Sequence, residues 1–416
     1  MHEDTRRWLL RAAFILICLL PTLAVLTWAA FLALPVEARQ LERQLVSLLG
    51  LNVQLGQLTH TRPHCRRLQD VQLRHAESNE PVLAAGWMEA EQTPLGWRLH
   101  LPAIKMKASE LDTVWQTVQD RFLPIPSLHM KLAEVTCDEL EIPHGDSSLS
   151  LYGLQWKRDE TLAIHRSELT FALAKQSDAP RVRIQMTRNR EALPTTTRVE
   201  LDTGDAALPG WLLSVCSGGS ATGDWQMQGN LAIDWEGAVW QAEFRGALRQ
   251  LDLTTLCRTW TPYPVAGQAE VRLENARLDQ QGLQSARGTV RADQLRVASG
   301  LLKSLVRLKL FEFMPGHVPS PDSEMFEAER MALDFWLSQD GLVCKASERD
   351  EAGLPIAVAG ANGPVLLCDG YASIFHLVWA VIPGSSPEEL HTAAQLQRLL
   401  PDAPPLRAMR TPEERR

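Results

Sequence analysis

The chain has 416 residues, enough for one large or two ordinary domains, and carries a net charge of −8. That balance argues against a nucleic-acid binder, which needs a dominant basic footprint. Thirteen tryptophans against three tyrosines make tryptophan the main aromatic, as suits core packing or a surface that touches lipid.

Residues 12–36, AAFILICLLPTLAVLTWAAFLALPV, hold no charge. At about 1.5 Å per residue a helix over this run measures roughly 37 Å, which crosses a hydrocarbon core of about 30 Å with some tilt. Arg6, Arg7 and Arg11 precede it, while Glu37, Arg39, Glu42 and Arg43 behind it are of mixed sign. Basic flanks favour the cytoplasmic side, so residues 1–11 are expected inside and the bulk of the chain across the membrane. A cleaved signal peptide has a shorter apolar core of roughly 7–15 residues, although the small residues near Ala29 to Ala33 leave a cleavage site open. Pro21 would cost a soluble helix about 3 kcal/mol but is tolerated in a membrane span. A single uncleaved anchor is the expectation.

Behind the anchor, VEARQLERQLVSLLG sets Leu41, Leu45, Leu48 and Leu49 on one helical face, with Gly50 as the stop. NVQL, LQDVQLRH, VLAAGWMEAE and the alternating residues Trp97, Leu99, Leu101, Ile104 and Met106 then read as strands with one wet and one apolar face. Leu111, Val114, Trp115, Val118 and Phe122 return to helical spacing. Ser109 and Asp112 suggest a capping box, and Pro124 and Pro126 a stop. This helix is expected to lid or plug one end of a sheet. Strands resume through LSLYGLQW, TLAIH, LTFALA, RVRIQM and TRVEL. LPGWLLSVC reads as one or two helical turns, and SGGSATG as a connector that lacks the lysine and spacing of a phosphate loop.

From Asp224 the alternation is clearest. Trp240, Ala242, Phe244, Gly246 and Leu248 share one face, and Ala269, Val271 and Leu273 oppose Gln268, Glu270, Arg272 and Glu274. The parity slips between Ala292 and Leu295, which predicts a bulge. SGLLKSLVRLKLFEF is a second amphipathic helix, with Leu301, Leu305, Leu308 and Phe311 on one side. Met331, Leu333, Phe335 and Leu337 form a strand, Asp340 and Gly341 a tight turn, and LVCKA its partner. LPIAVAG and GPVLL follow. YASIFHLVWAVI is too short to span a bilayer and suits a buried or interfacial segment. A polar, proline-rich end is expected to be disordered.

Roughly fifteen strands in short sequential connections predict antiparallel meanders, because parallel neighbours need a long crossover. Helices are too few to cover both faces, so the apolar face must curl, pack on a second sheet or stay open as a groove.

These residues carry a resemblance. LERQLVSLLGLNVQL and LQDVQLRHAESNEPVLAAGWMEAE behind an N-terminal anchor resemble the start of AsmA-like proteins, a family that includes the bridge-like lipid-transfer members TamB and YhdP. GQAEVRLENARL, GTVRADQLRVASGLLKSLVRLKLF and FEAERMALDFWLSQDGLV are similar to their C-terminal module. Matching stretches cover about 36–107 and 224–367, and the middle matches only in its strand rhythm. The resemblance implies a mainly β fold, a taco-like groove behind a transmembrane helix, anchored in the inner membrane. It implies a periplasmic bulk and phospholipid acyl chains as cargo, in the service of outer-membrane and envelope homeostasis. The expected organisation is a cytoplasmic N-terminus (1–11), the anchor (12–36), an N-terminal β region (37–205), a C-terminal β region (206–382) and a polar tail (383–416).

No HExxH, GxSxG, Walker loop or dinucleotide fingerprint is present. His60, His64 and Cys65 in HTRPHC have zinc-ligand chemistry but no fourth ligand, and an ordinary polar loop is the simpler reading. Arg62, Arg66, Arg67 and Arg74 stand near the anchor and suit anionic headgroups or a solvated strand face. Of the seven cysteines, Cys18 falls in the anchor and the others show no CxxC spacing. Cys344 and Cys368 suggest a pair. On strands next but one in a meander, however, they would stand about 9–10 Å apart, beyond the roughly 7 Å a disulfide spans. All are therefore expected unpaired. Neither an enzyme nor a cofactor is expected. The leading expectation is a lipid-binding or lipid-transfer protein whose groove is lined by Trp240, Phe244, Val271, Leu273, Met331, Leu333 and Phe335. The alternative is a non-enzymatic envelope assembly or scaffold protein that packs the same face against protein partners.

Overall fold

The computed structural model describes residues 21–23, 25–27, 36–62, 64–75, 78–111, 113–114, 132–144, 147–160, 164–176, 178–189, 191–212, 224–258, 261, 263–307, 311–313, 324–339, 341–349, 355–360 and 363–373. The chain divides into two compact units, Met1–Gln155 and Trp156–Arg416. Strand dominates both. Most of the expected anchor, most of the expected helix after Ser109, the glycine-rich connector and the C-terminal tail lie outside the described residues. Within the anchor, residues 21–23 and 25–27 are helical, and Leu23, Val25 and Leu26 are exposed. Among the described residues no helix is long and apolar enough to cross a membrane.

The first unit opens with helix α1 (Val36–Leu49). Gly50 ends it as expected, at φ 69°, where its N–H donates to the Val46 carbonyl. Strands β1 (Asn52–Gln54) and β2 (Leu58–Arg62) both pair with β3 (Cys65–Arg74), which continues to β4 (Pro81–Thr93) and β5 (Gly96–Met106), all antiparallel. Their apolar residues Leu68, Val71, Val82, Met88, Leu101 and Ile104 are buried. The next strand, β6 (Leu132–His144), departs from the meander and runs parallel to β5. Local reading missed this pairing, and its cause is connection length. Residues 107–131 separate the two strands, enough for the crossover that parallel neighbours require. That stretch begins as a 3-10 turn (Ala108–Glu110) capped by Lys107. Ser109 lies inside the turn, its hydroxyl donating to Glu110 Oε1 at 3.3 Å, so it is not the expected N-cap.

Strand β7 (Ser147–Glu160) contains the division between the units. In the second unit, β8 (Ile164–Ala172), β9 (Arg181–Asn189) and β10 (Thr196–Asp202) form an antiparallel ladder. It continues through β12 (Gln226–Glu236), β13 (Val239–Asp252), β14 (Val265–Asp279), β15 (Gly282–Ala298) and β17 (Met325–Ser338). The short β11 (Leu208–Pro209) also pairs with β12. The ladder thus runs unbroken past residue 206, since β10 pairs directly with β12. Ile164 and His165 of TLAIH and residues 169–172 of LTFALA, read as two strands, belong to the single strand β8. The bulge expected between Ala292 and Leu295 is present: Gln294 sits at φ 52° and the register with β14 shifts there.

Helix α2 (Leu253–Arg258) packs on β13 and β14, and helix α3 (Ser299–Arg307) on β15. The expected amphipathic helix is shorter than its periodicity suggests. Its far end, β16 (Glu312–Phe313), is extended and pairs with β21 (Gly363–Leu367). Strand β17 then forks. Its C-terminal half pairs with β18 (Gly341–Ala346), and its middle pairs with β20 (Pro355–Gly360). The two-residue β19 (Glu348–Arg349) also joins β20, β20 pairs with β21, and β22 (Asp369–Ser373) pairs with β18. The start of YASIFHLVWAVI is therefore an edge of this sheet, and the rest of that segment lies outside the described residues.

Candidate functional site

The second unit's sheet is two-faced because its strands alternate without interruption for most of their length. One row of cross-strand partners runs Leu169, Ile184, Leu201, Leu231, Phe244, Ala276, Ala286, Leu337 and Leu342, one residue from each of nine strands. A second row on the same face runs Met227, Leu248, Val271, Val290, Leu333 and Ala346. Between them lies a row of three glycines and two large apolar residues: Gly229, Gly246, Leu273, Gly288 and Phe335. At Gly246, φ 153°, an added Cβ would stand 2.1 Å from the Gln228 carbonyl oxygen. The two backbones therefore meet where a side chain would otherwise project.

The opposite face is charged and paired. Arg183 reaches Glu168 at 2.8 Å, Arg198 reaches Asp234 at 3.0 Å, and Arg245 reaches Glu243 at 2.8 Å. Arg272–Glu270, Arg287–Glu274 and Arg296–Glu327 each close at 2.9 Å. Such exposed pairs contribute little stability, but they mark this as the wet side. Arg245 holds the Glu243 carboxyl below its usual range, and hydrogen bonding to Glu200 raises Arg198 further.

All seven residues singled out in the sequence lie on the apolar face, and their surroundings divide them. Leu333 is 8% exposed and belongs to a closed core with Leu302 of α3, Phe311, Val358 of β20 and Leu366 of β21. Met331 and Phe335 pack against that core. Trp240, Phe244, Val271 and Leu273 stand outside it. Phe244 is buried, whereas Trp240, Val271 and Leu273 are only half-buried. Leu169, Ile184, Leu231 and Ile233, also half-buried, extend the same face across β8–β12. Sequence reading did not include them, although the parity of LTFALA, RVRIQM and LAIDW carried the signal. The face thus has a capped end beneath α2, α3 and β20–β21, and a long stretch beyond it.

The first unit presents a different surface. Arg62, Cys65, Glu89, Glu91, Arg98, Leu99, His100, Glu134 and Thr136 line a depression of about 260 Å³. Its charges are mostly consumed internally. Arg67 donates to Glu89 at 2.6 Å while its guanidinium lies 4.6 Å over the Trp87 ring, and Arg98 pairs with Glu134 at 3.3 Å. His100 Nδ1 is 3.1 Å from Thr136 Oγ1. Strand alternation turns Arg66 to the other face, over Trp97 at 5.8 Å, and Arg74 donates to Gln72 at 2.8 Å. The four arginines read as one basic patch are therefore not one surface. His60 lies in β2, His64 in the β2–β3 turn at φ 64°, and the Cys65 thiol is buried beside the Thr61 hydroxyl at 3.2 Å. Among the described residues no three His, Cys, Asp or Glu side chains gather as a metal site.

Comparison with family models, with curated proteins and with solved structures finds no match.

Proposed function

We propose that this chain is a lipid-binding or lipid-transfer protein of the AsmA-like type. Its apolar sheet face holds phospholipid acyl chains, and its N-terminal segment anchors it in the inner membrane with the bulk of the chain in the periplasm. One observation carries the reading: an apolar row contributed by nine strands, backed by a face of ion pairs formed within and between strands. A sheet of this kind must cover its apolar side. Among the described residues α2 packs on β13 and β14 and α3 on β15, while Leu169, Ile184, Leu231 and Ile233 of β8–β12 are half-buried. An acyl chain suits the half-buried part of this face because it is linear, needs no polar partner, and contributes about 0.8 kcal/mol for each buried methylene. No catalytic group is required for such a task, only continuity of apolar contact.

The test is lipid mass spectrometry on the full chain after exchange out of detergent, beside Leu273→Gln. Phospholipid near one or a few equivalents in the wild type, and clearly less in the variant, supports the proposal. Equal trace lipid in both sinks it and directs attention to protein partners.

A further inference from the structure

The forked end of the second sheet brings together two cysteines that local reading separates. Cys344 in β18 pairs with Gly370 of β22, and the Ala346 N–H donates to the Cys368 carbonyl at 2.8 Å. The two strand segments are thus immediate neighbours, not next but one. Cys344 and Cys368 sit on the diagonal joining a residue to the one two before its partner, which the right-handed twist of an antiparallel pair shortens. Both side chains are buried, at 6% and 1% exposure, in the same apolar core. Both are reduced, not disulfide-bonded, in this structure.

We propose that Cys344 and Cys368 form an intramolecular disulfide when the chain folds in an oxidising compartment. The oxidant is a disulfide carried by a thiol–disulfide exchange protein or by oxidised glutathione. One cysteine, as thiolate, attacks a carrier sulfur, breaking the carrier S–S bond and forming a mixed disulfide. The second thiolate attacks the protein sulfur of that bond and releases the carrier reduced, as a dithiol or, for glutathione, as the second of two thiols. The two electrons pass to the carrier, and the two thiol protons, relayed by solvent, end on its sulfurs. In the folded chain the two thiols are hydrogen-bonded to one another, which lowers the Cys344 pKa against the opposing effect of burial. Exchange takes place before the core closes. Afterwards, burial shields the bond from reductants. The bond would tie the strand opposite Phe335 to the entry of β22 and so fix the capped end of the apolar face. This inference stands independently of the lipid reading.

The test is to refold the full chain in a glutathione redox buffer, block remaining thiols with N-ethylmaleimide, and map cysteines by peptide mass spectrometry. The expected result is a linked peptide joining residues 344 and 368, and a melting temperature that falls by several degrees on reduction. A Cys344→Ala, Cys368→Ala double variant should show no such response to reductant. A second sample, secreted into an oxidising compartment and never unfolded, covers failure to refold. Alkylation of both cysteines in either folded sample, or linkage of either one to Cys65, Cys137 or Cys257, would overturn the proposal.

Discussion

Leu273 and Leu333 occupy the same face of one sheet, yet their surroundings predict opposite consequences for the same change. Leu273 is half-buried on β14, outside the closed core, whereas Leu333 is 8% exposed on β17 among its members. Burying a leucine fully contributes about 1.5–3 kcal/mol, so a half-buried one contributes roughly 1 kcal/mol. Leu273→Gln should therefore cost about 1 kcal/mol, because its amide can still reach water. Leu333→Gln loses the full burial and strands an amide in the core, which together cost about 3–5 kcal/mol. At about 2–4 °C per kcal/mol for a domain of this size, Leu273→Gln lowers the melting temperature by only a few degrees, and Leu333→Gln by roughly 10 °C or more. Thermal melting read beside retained lipid separates the two. Leu273→Gln should keep its fold and lose lipid. Equal destabilisation by both substitutions would refute the division into an open stretch and a capped end.

Gly246→Ala should destabilise by at least about 2 kcal/mol, since its Cβ would stand 2.1 Å from one backbone oxygen and 2.7 Å from the Gly229 Cα; denaturant unfolding measures it, and a near-neutral result would contradict the close approach of β12 and β13. Asp252 caps α2, accepting from the Thr255 hydroxyl at 2.7 Å and the Thr254 N–H at 2.9 Å, and these bonds lower its pKa. A depressed folded value means stability that is present above the unfolded pKa and lost as pH falls through the folded one. Asp252→Ala should thus cost about 1 kcal/mol near neutrality, with the gap from wild type closing below about pH 4 in melts across pH. Burial pushes the Cys137 thiol up to about 11, and the thiol donates to the Glu139 carbonyl at 3.1 Å. It should resist iodoacetamide at pH 8 in the folded chain and react on unfolding; rapid native labelling would contradict its burial.

Local pattern carried the strands and little of what joins them. Alternation in VWQAEFRGAL, the stop at Gly50 and the slip between Ala292 and Leu295 were all legible, because each follows from steric rules acting within a few residues. The parallel pairing of β5 with β6 was not, since it depends on where a long connection returns the chain. Phe311 kept helical spacing with Leu308, yet β16 just after it is extended because β21 offers it hydrogen bonds that no local window contains. The fork of β17 likewise set Cys344 beside Cys368, and no count of residues between them reveals that. For the candidate site, parity placed all seven residues on one face. Which of them are capped was decided by α3 and by β20–β21 folding over Met331, Leu333 and Phe335, a tertiary choice that alternation does not encode.

The most direct measurement is photo-crosslinking in cells, with a benzophenone amino acid placed in turn at Leu273 and at Arg272. These neighbours project to opposite faces of β14. The account predicts a phospholipid adduct at 273, detectable by mass shift, and none at 272. Adducts at both positions in equal yield, or at neither, would contradict the claim that this apolar face carries lipid.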